Sequence, residues 1–147
     1  MIPVFSQKDA FALDEFTMTS NFLSEAELMD NAGRSIAQFI VENIHNPFHQ
    51  KFVVIAGPGN NGGDGYAVAR HLANAGCSVY IVQLGEPNSK DAITNASICE
   101  EMNIPSTAWT EKTDSNATLI IDAIFGTGLN RTVEGIYADA SHACNAQ

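Results

Sequence analysis

Apolar positions along this chain change period several times, and each change marks an element. Residues 6–18 read as a first helix, with Ser6 and Asp9 in the S-x-x-D spacing of a helix cap. The same pattern returns at Ser24-Glu25-Ala26-Glu27 and opens a longer helix to about residue 44, with Leu28, Ala32, Ile36 and Ile40 as its buried stripe. Gly33 falls inside that helix, where it costs about 1 kcal/mol relative to alanine. A close packing contact is the reason expected, and Asn31 beside it is read either as a ligand contact or, with at least equal weight, as a structural residue. Asn46-Pro47 breaks the helix, and the β-branched run over residues 52–56 reads as a buried strand. Ala67, Val68, Leu72 and Ala73 then recur at helical spacing to about residue 75, with Gly76 as the C-cap.

The alternation continues. Residues 78–84 form a strand, Gly85-Glu86-Pro87-Asn88 a turn, residues 91–102 a helix and residues 106–109 a short strand. A fourth strand over residues 117–121 ends in Asp122, and a final helix covers 134 to about 144. Strands alternating with helices imply an α/β fold whose parallel sheet is covered on both faces, since parallel strands need crossover connections. Right-handed crossovers put every loop after a strand at one edge, where ligands bind in such folds. No repeat, low-complexity tract or long linker divides the chain, so residues 1–147 are expected to form one domain.

Composition narrows the partners. Apolar residues make up 45% and charged residues 16%, a balance that argues against wholesale disorder. Seven basic residues against seventeen acidic ones give a formal charge of −10, and the basic ones are scattered singly. That disfavours nucleic acid or an anionic membrane as the main partner, because phosphate contacts need clustered Lys and Arg. No segment approaches the roughly 20 apolar residues that span a bilayer. Residues 1–9 lack the basic segment and apolar core of a secretory signal, so a cytoplasmic location is expected. Cys77, Cys99 and Cys144 have no C-x-x-C spacing and read as free thiols in a reducing compartment, with Cys77 packed inside. His45, His49, His71 and His142 show no metal-ligand spacing and read as surface or cap residues.

Two segments carry the chemistry. In the first, Gly57-Pro58-Gly59-Asn60-Asn61-Gly62-Gly63-Asp64-Gly65, a strand empties into five glycines, two amides and one carboxylate before a helix. That layout presents bare backbone N–H groups to an anion at the positive end of a helix. Glycine is expected there to clear space for a ligand and to allow positive φ in a tight loop. The second segment, Asp122-Ala123-Ile124-Phe125-Gly126-Thr127-Gly128-Leu129-Asn130-Arg131-Thr132, leaves the fourth strand. Gly126 and Gly128 leave backbone N–H groups open, and Thr127, Asn130 and Arg131 add donors, Arg131 with a fork suited to phosphate. Asn60, Asn61 and Asp122 offer only oxygen ligands, so a bound cation is expected to be an alkali or alkaline-earth ion. Asp64 or Asp122 is a candidate acid–base group if burial raises its pKa; a purely loop-ordering role for Asp64 is the competing reading. Gly57-x-Gly59-x-x-Gly62 also fits the dinucleotide fingerprint formally, and Glu86 stands near where a ribose-binding acid would fall.

These residues resemble a known family. The first segment, followed by Ala69-Arg70-His71-Leu72, is similar to the signature of the NAD(P)H-hydrate epimerases, the YjeF N-terminal domain family. Asp122-Ala123-Ile124-Phe125-Gly126-Thr127-Gly128-Leu129 resembles its second signature, and Leu28-Met29-Asp30-Asn31-Ala32-Gly33 its Leu-Met-acid-Asn-Ala-Gly helix. The resemblance implies a Rossmann-like three-layer αβα fold with a mostly parallel sheet, often a homodimer, that interconverts the R and S epimers of hydrated NADH or NADPH. In metabolite repair an ADP/ATP-dependent NAD(P)H-hydrate dehydratase, fused or separate, then acts on one epimer. Carried over by position, Asn60, Asn61, Gly62, Gly63 and Asp64 would contact the hydrated cofactor, as would Gly126, Thr127, Gly128, Leu129, Asn130, Arg131, Thr132 and Tyr137. Asn61 and Asp122 would bind a potassium ion, and Asp122 is the residue assigned the proton transfer. Family members continue into a further strand and an Asp-Ile-Pro-Ser-Gly-like loop, whereas this chain stops at Gln147. The expectation is therefore a sheet without its last strands and a C-terminally incomplete domain. Two other classes fit parts of the pattern: a non-catalytic dimerisation module related to decapping enhancers, and a nicotinamide oxidoreductase with Glu86 on the ribose.

Overall fold

The computed structural model describes residues 6–20, 22–110, 117–130 and 132–145. Along them run α1 (Gln7–Thr19), α2 (Glu25–Asn43), a single 3-10 turn (Pro47–His49), β1 (Lys51–Ala56) and α3 (Asn60–Asn74). Then come β2 (Ser78–Gln83), α4 (Lys90–Glu101), β3 (Ser106–Ala108), β4 (Leu119–Ala123) and α5 (Ile136–Asn145). Both expected capping boxes form, Ser6 with Asp9 and Ser24 with Glu27. Gly76 closes α3 with φ of 90°. Its N–H donates to the Ala73 carbonyl and that of Cys77 to the Leu72 carbonyl, the paired bonds of a Schellman motif. Asn103, at φ 56°, ends α4 in the same way.

The strands pair in the order β3-β2-β1-β4, every pairing parallel. From β1 the chain steps outward through β2 to β3, then returns to lay β4 on the other side of β1. The direction of winding thus reverses between β1 and β4, which is where ligands bind in open α/β sheets. Helices α2, α3 and α4 lie on one side of the sheet around Phe52, Val54, Tyr66, Leu72 and Ile81. On the other side Val53, Ile55, Val82 and Leu84 pack with Ala140 of α5. Strand β1 is buried on both faces, as its unbroken apolar run requires. The three-layer fold is the one expected.

Helix α2 docks one residue away from the expected stripe. Met29, Gly33 and Ala37 are buried, while Ala32 and Ile36 are exposed. The cause is helix–helix approach: a Cβ on Gly33 would stand 2.6 Å from the Ala67 Cβ of α3. Gly33 and Ala37 therefore admit α3, Met29 is buried with them and Ile40 of the expected stripe packs against the core, while Ala32 and Ile36 turn outward. Helix α1 buries no residue and leaves Phe11, Leu13 and Phe16 exposed. The cysteines are free thiols, with Cys77 and Cys99 buried. No helix among the described residues is long and apolar enough to cross a membrane.

Candidate functional site

The first glycine segment is mostly helix. Helix α3 begins at Asn60, so Gly62, Gly63 and Gly65 lie in its first two turns. None of the five glycines adopts positive φ, contrary to the expectation of a tight loop. Close approach explains them instead. A Cβ on Gly62 would fall 1.8 Å from the Gly57 carbonyl oxygen, and one on Gly57 2.2 Å from that of Ile124. On Gly63 it would meet the Met29 sulfur at 2.9 Å, and on Gly65 the Ala123 Cβ at 2.5 Å. The segment is thus a seam where β1, the end of β4, α2 and α3 meet too closely for a side chain.

That seam shapes what reaches the ligand. The N-cap residue Gly59 has no side-chain cap, so the first N–H groups of the 15-residue α3 lack the usual partner and face the cleft end of the helix. Gly63 is already committed, its N–H donating to the Gly59 carbonyl at 3.1 Å. Asn60, Asn61 and Asp64 project from the same turns into a cleft of about 760 Å³. Its opposite wall is the second segment, with Gly126, Thr127, Gly128, Leu129 and Asn130, and Tyr137 of α5 closes one end. Tyr137 packs against Phe125, ring centroids 5.3 Å apart. A Cβ on Gly126 would be 3.5 Å from the Asn61 amide oxygen, so the two walls nearly touch there.

Nine of the expected contact residues therefore share one cleft. Gly62 and Gly63 do not line it; they are buried behind it. Thr132 is exposed and outside it, and Arg131 lies outside the described residues. Asp122 sits on the other side of β4's end. It pairs with Ile55, whose side chain packs toward α5, and it is exposed. One of its carboxylate oxygens accepts from the Ile124 N–H at 2.9 Å. Burial, and after it the nearby Asp122 charge, push the Cys144 thiol of α5 up.

The two carboxylates thus differ in environment. Burial raises Asp64 from 3.8 to about 6, where it can exchange a proton near neutrality. For a cation, the expected side-chain ligands are oxygen only: the Asn61 amide in the cleft and the exposed Asp122 carboxylate, which does not line it. That donor set suits an alkali ion, and no group of three or more His, Cys, Asp or Glu residues gathers among the described residues.

Several contributors carried no sequence signal. Phe11 of α1 lines the cleft, and Gln7 Nε2 donates to the Thr127 carbonyl at 3.0 Å, so α1 lies against the second segment. Asn88 also lines it, and its N–H donates to the Pro58 carbonyl at 2.8 Å. These contacts join elements far apart in the chain, which no local pattern reports. Behind the cleft, Asp30 of α2 accepts from Arg70 Nη2 at 2.5 Å and meets His71 Nε2 at 2.9 Å. Arg70 Nη2 also reaches Asn95 of α4 at 3.0 Å. Burial acts to raise Asp30, but hydrogen bonds and charge from His71 and Arg70 outweigh it and hold the carboxyl below its ordinary value.

A family profile described as YjeF-related protein N-terminus matches residues 25–147, covering both glycine segments and the frame behind them. The chain belongs to this family. Within the YjeF-related family, it is 42% identical over 137 residues to a NAD(P)H-hydrate epimerase of Limosilactobacillus fermentum, covering 92% of this chain and 64% of that protein. It is 35% identical over 132 residues to a bifunctional NAD(P)H-hydrate repair enzyme of Thermofilum pendens, covering 84% of this chain and 25% of the other. The crystal structure of the yeast protein YNL200c superposes with a TM-score of 0.78 at 25% identity, over 98% of this chain and 67% of the yeast one. The chain spans slightly less than two thirds of the length of the first lactobacillar relatives it matches.

Proposed function

We propose that this YjeF-related chain provides the substrate cleft of a NAD(P)H-hydrate epimerase, interconverting the R and S epimers of hydrated NADH or NADPH. One observation carries the reading. Asn60, Asn61 and Asp64 face Gly126 to Asn130 across a single cleft at the β1/β4 switch point, in a chain whose relatives bear that name.

The open N–H groups of α3 and the backbone of the second segment bind the dinucleotide phosphates. Phe11 and Tyr137 supply apolar surface for the ring. Asp64 moves the proton. As a carboxylate it accepts the proton of the ring-carbon hydroxyl while the bond from that carbon to the ring nitrogen breaks. The carbon becomes an aldehyde, and the proton passes to the nitrogen. Closure on the other face of the aldehyde, with the proton returned to oxygen, inverts the centre. No oxidant or reductant is consumed. The sequence reading assigned this transfer to Asp122; placement in the cleft and a raised pKa favour Asp64. Asn61 would offer its amide oxygen to a potassium ion, which would supply positive charge beside the anionic substrate; Asp122, expected as the second ligand, does not line the cleft.

The exposed aromatics of α1 and α2 outside the cleft, Phe16 and Phe39, suit a homodimer surface. A separate or fused dehydratase, as the name of the bifunctional relative suggests, would consume the repaired epimer, and the setting we propose is cytoplasmic. The direct test incubates the intact protein with R-enriched hydrated NADH and follows both epimers by chromatography. Equilibration faster than the spontaneous rate is expected. A rate equal to the spontaneous one would remove the assignment.

A further inference from the structure

A second cavity, of about 700 Å³, opens beside the cleft between the ends of β2 and β3 and helix α4. Its size falls within the range of small-molecule sites. Tyr66 and Gln83 form the floor, Gln83 Nε2 donating to the buried Tyr66 hydroxyl at 3.2 Å. Ile93 and Ser97 of α4 form a side, and Glu86 and Glu100 bring two carboxylates. Among the described residues that line it there is no lysine or arginine. Burial, and after it the Cys99 and Glu86 charges, push the Tyr66 hydroxyl up against the lowering bond from Gln83.

The two cavities flank one turn. Pro87 lines the second cavity and Asn88 the cleft, and the Asn88 N–H is bonded to the Pro58 carbonyl of the first glycine segment. A ligand whose phosphates rest at the α3 N-terminus therefore has an exit over this turn toward Glu86. An acid just past the second strand is where a ribose diol is hydrogen-bonded in doubly wound sheets, and an arginine is what accommodates a 2′-phosphate there.

Resting on the function proposed above, we propose that this second cavity seats the adenosine half of the dinucleotide, with Glu86 on the ribose hydroxyls, so that the site selects hydrated NADH over hydrated NADPH. A 2′-phosphate would bring about two negative charges against two carboxylates, and like charges placed together oppose binding. The apolar wall at Ile93 takes the purine face, while Ser97 and Gln83 offer polar partners to its edge.

Two measurements on the intact protein test this. In the first, epimerisation of hydrated NADH and hydrated NADPH is compared over concentrations that span KM. A kcat/KM at least tenfold higher for hydrated NADH is expected, carried mainly by KM. Glu86 is exposed, so Glu86→Arg should fold normally, and it is expected to bring the ratio to one or reverse it. Equal kcat/KM in the wild type, or a ratio untouched by Glu86→Arg, overturns the proposal. The second measurement needs no catalysis: calorimetric titration with AMP and with adenosine 2′,5′-bisphosphate. AMP is expected to bind at least tenfold more tightly. Equal binding, or none by either, overturns the assignment. A protein that discriminates the two nucleotides yet epimerises nothing keeps this cavity assignment and overturns the function.

Discussion

The segments leaving β1 and β4 are both glycine-rich, both follow a parallel strand and both face the same cleft, yet they are built on opposite principles. In the first, four of five glycines are pressed against neighbouring atoms closer than a side chain permits. In the second, a Cβ on Gly128 would meet nothing within 4 Å, and residues 126–130 are all exposed. One segment spends its glycines on fit, so its asparagines and aspartate ride on a helix held from both sides. The other spends them on openness, leaving backbone donors uncovered. A site of this kind has a rigid wall that sets the geometry and an accessible wall that takes up the ligand.

The largest expected effect breaks that contrast outright if it is absent. Gly62→Ala would force its methyl into the Gly57 carbonyl, a backbone atom that cannot swing aside. A loss of more than about 4 kcal/mol in urea unfolding is expected, enough to abolish folding in a marginal domain. Gly128→Ala is expected to change stability by less than about 0.5 kcal/mol. Similar effects at the two positions would show that the segments are not built differently.

Next in size is the contrast between the carboxylates. Asp64→Asn should slow epimerisation by about 10²- to 10⁴-fold, the usual worth of a positioned acid–base group. In the wild type the rate should rise with pH through about 6, as Asp64 ionises, and the variant should lose that limb. Stability should move the other way. A carboxyl whose folded pKa is raised contributes stability below its unfolded value, near 3.8, and loses it as pH climbs through about 6. Removing the charge should therefore stabilise the protein at pH 8, on the order of 1–2 kcal/mol once partial exposure is discounted, and not at pH 3.5. A loop-ordering Asp64 would give a less stable variant at pH 8.

How far the chain could be read depended on whether a feature is local. Capping boxes, the glycine C-cap and the alternation of strand and helix are set by neighbours within a few residues, so Ser6, Ser24 and Gly76 behave as read. The identity of the α2 face is not local: it depends on how near α3 can come, which Gly33 and Ala67 decide together. The glycines of the first segment were legible as a cluster at the end of β1 but not in their purpose, because close approach in space leaves no mark on spacing. Asp122 was read at a strand end, correctly, but which side of the sheet it takes follows from its pairing with Ile55. The lining by Phe11 and Asn88 was invisible for the same reason.

The frame behind the first segment comes third. Arg70 buries its Nε without a hydrogen-bond partner among the described residues, and its Nη2 bonds to Asp30 and Asn95. Asp30→Ala should cost about 2 kcal/mol, less than a fully buried pair because the carboxylate is partly exposed. Asp30 is held below its ordinary pKa, so this cost should be present at neutral pH and shrink as pH falls below about 4. A cost independent of pH would mean that packing, not the ion pair, joins α2 to α3.

The smallest effect probes the open wall. Helix α1 buries no residue and meets the second segment through Gln7, whose amide donates to Thr127. An exposed neutral hydrogen bond contributes about 0.5–1.5 kcal/mol at most, and water replaces it readily here. Gln7→Ala should therefore leave the unfolding midpoint within about 0.5 kcal/mol of the wild type. If α1 holds the second segment in place for substrate, KM should rise a few-fold while kcat stays unchanged, the mark of lost uniform binding. A fall in kcat at constant KM would instead tie α1 to the chemical step. That result would move the second segment to the rigid side of the comparison and leave the cleft with two fixed walls.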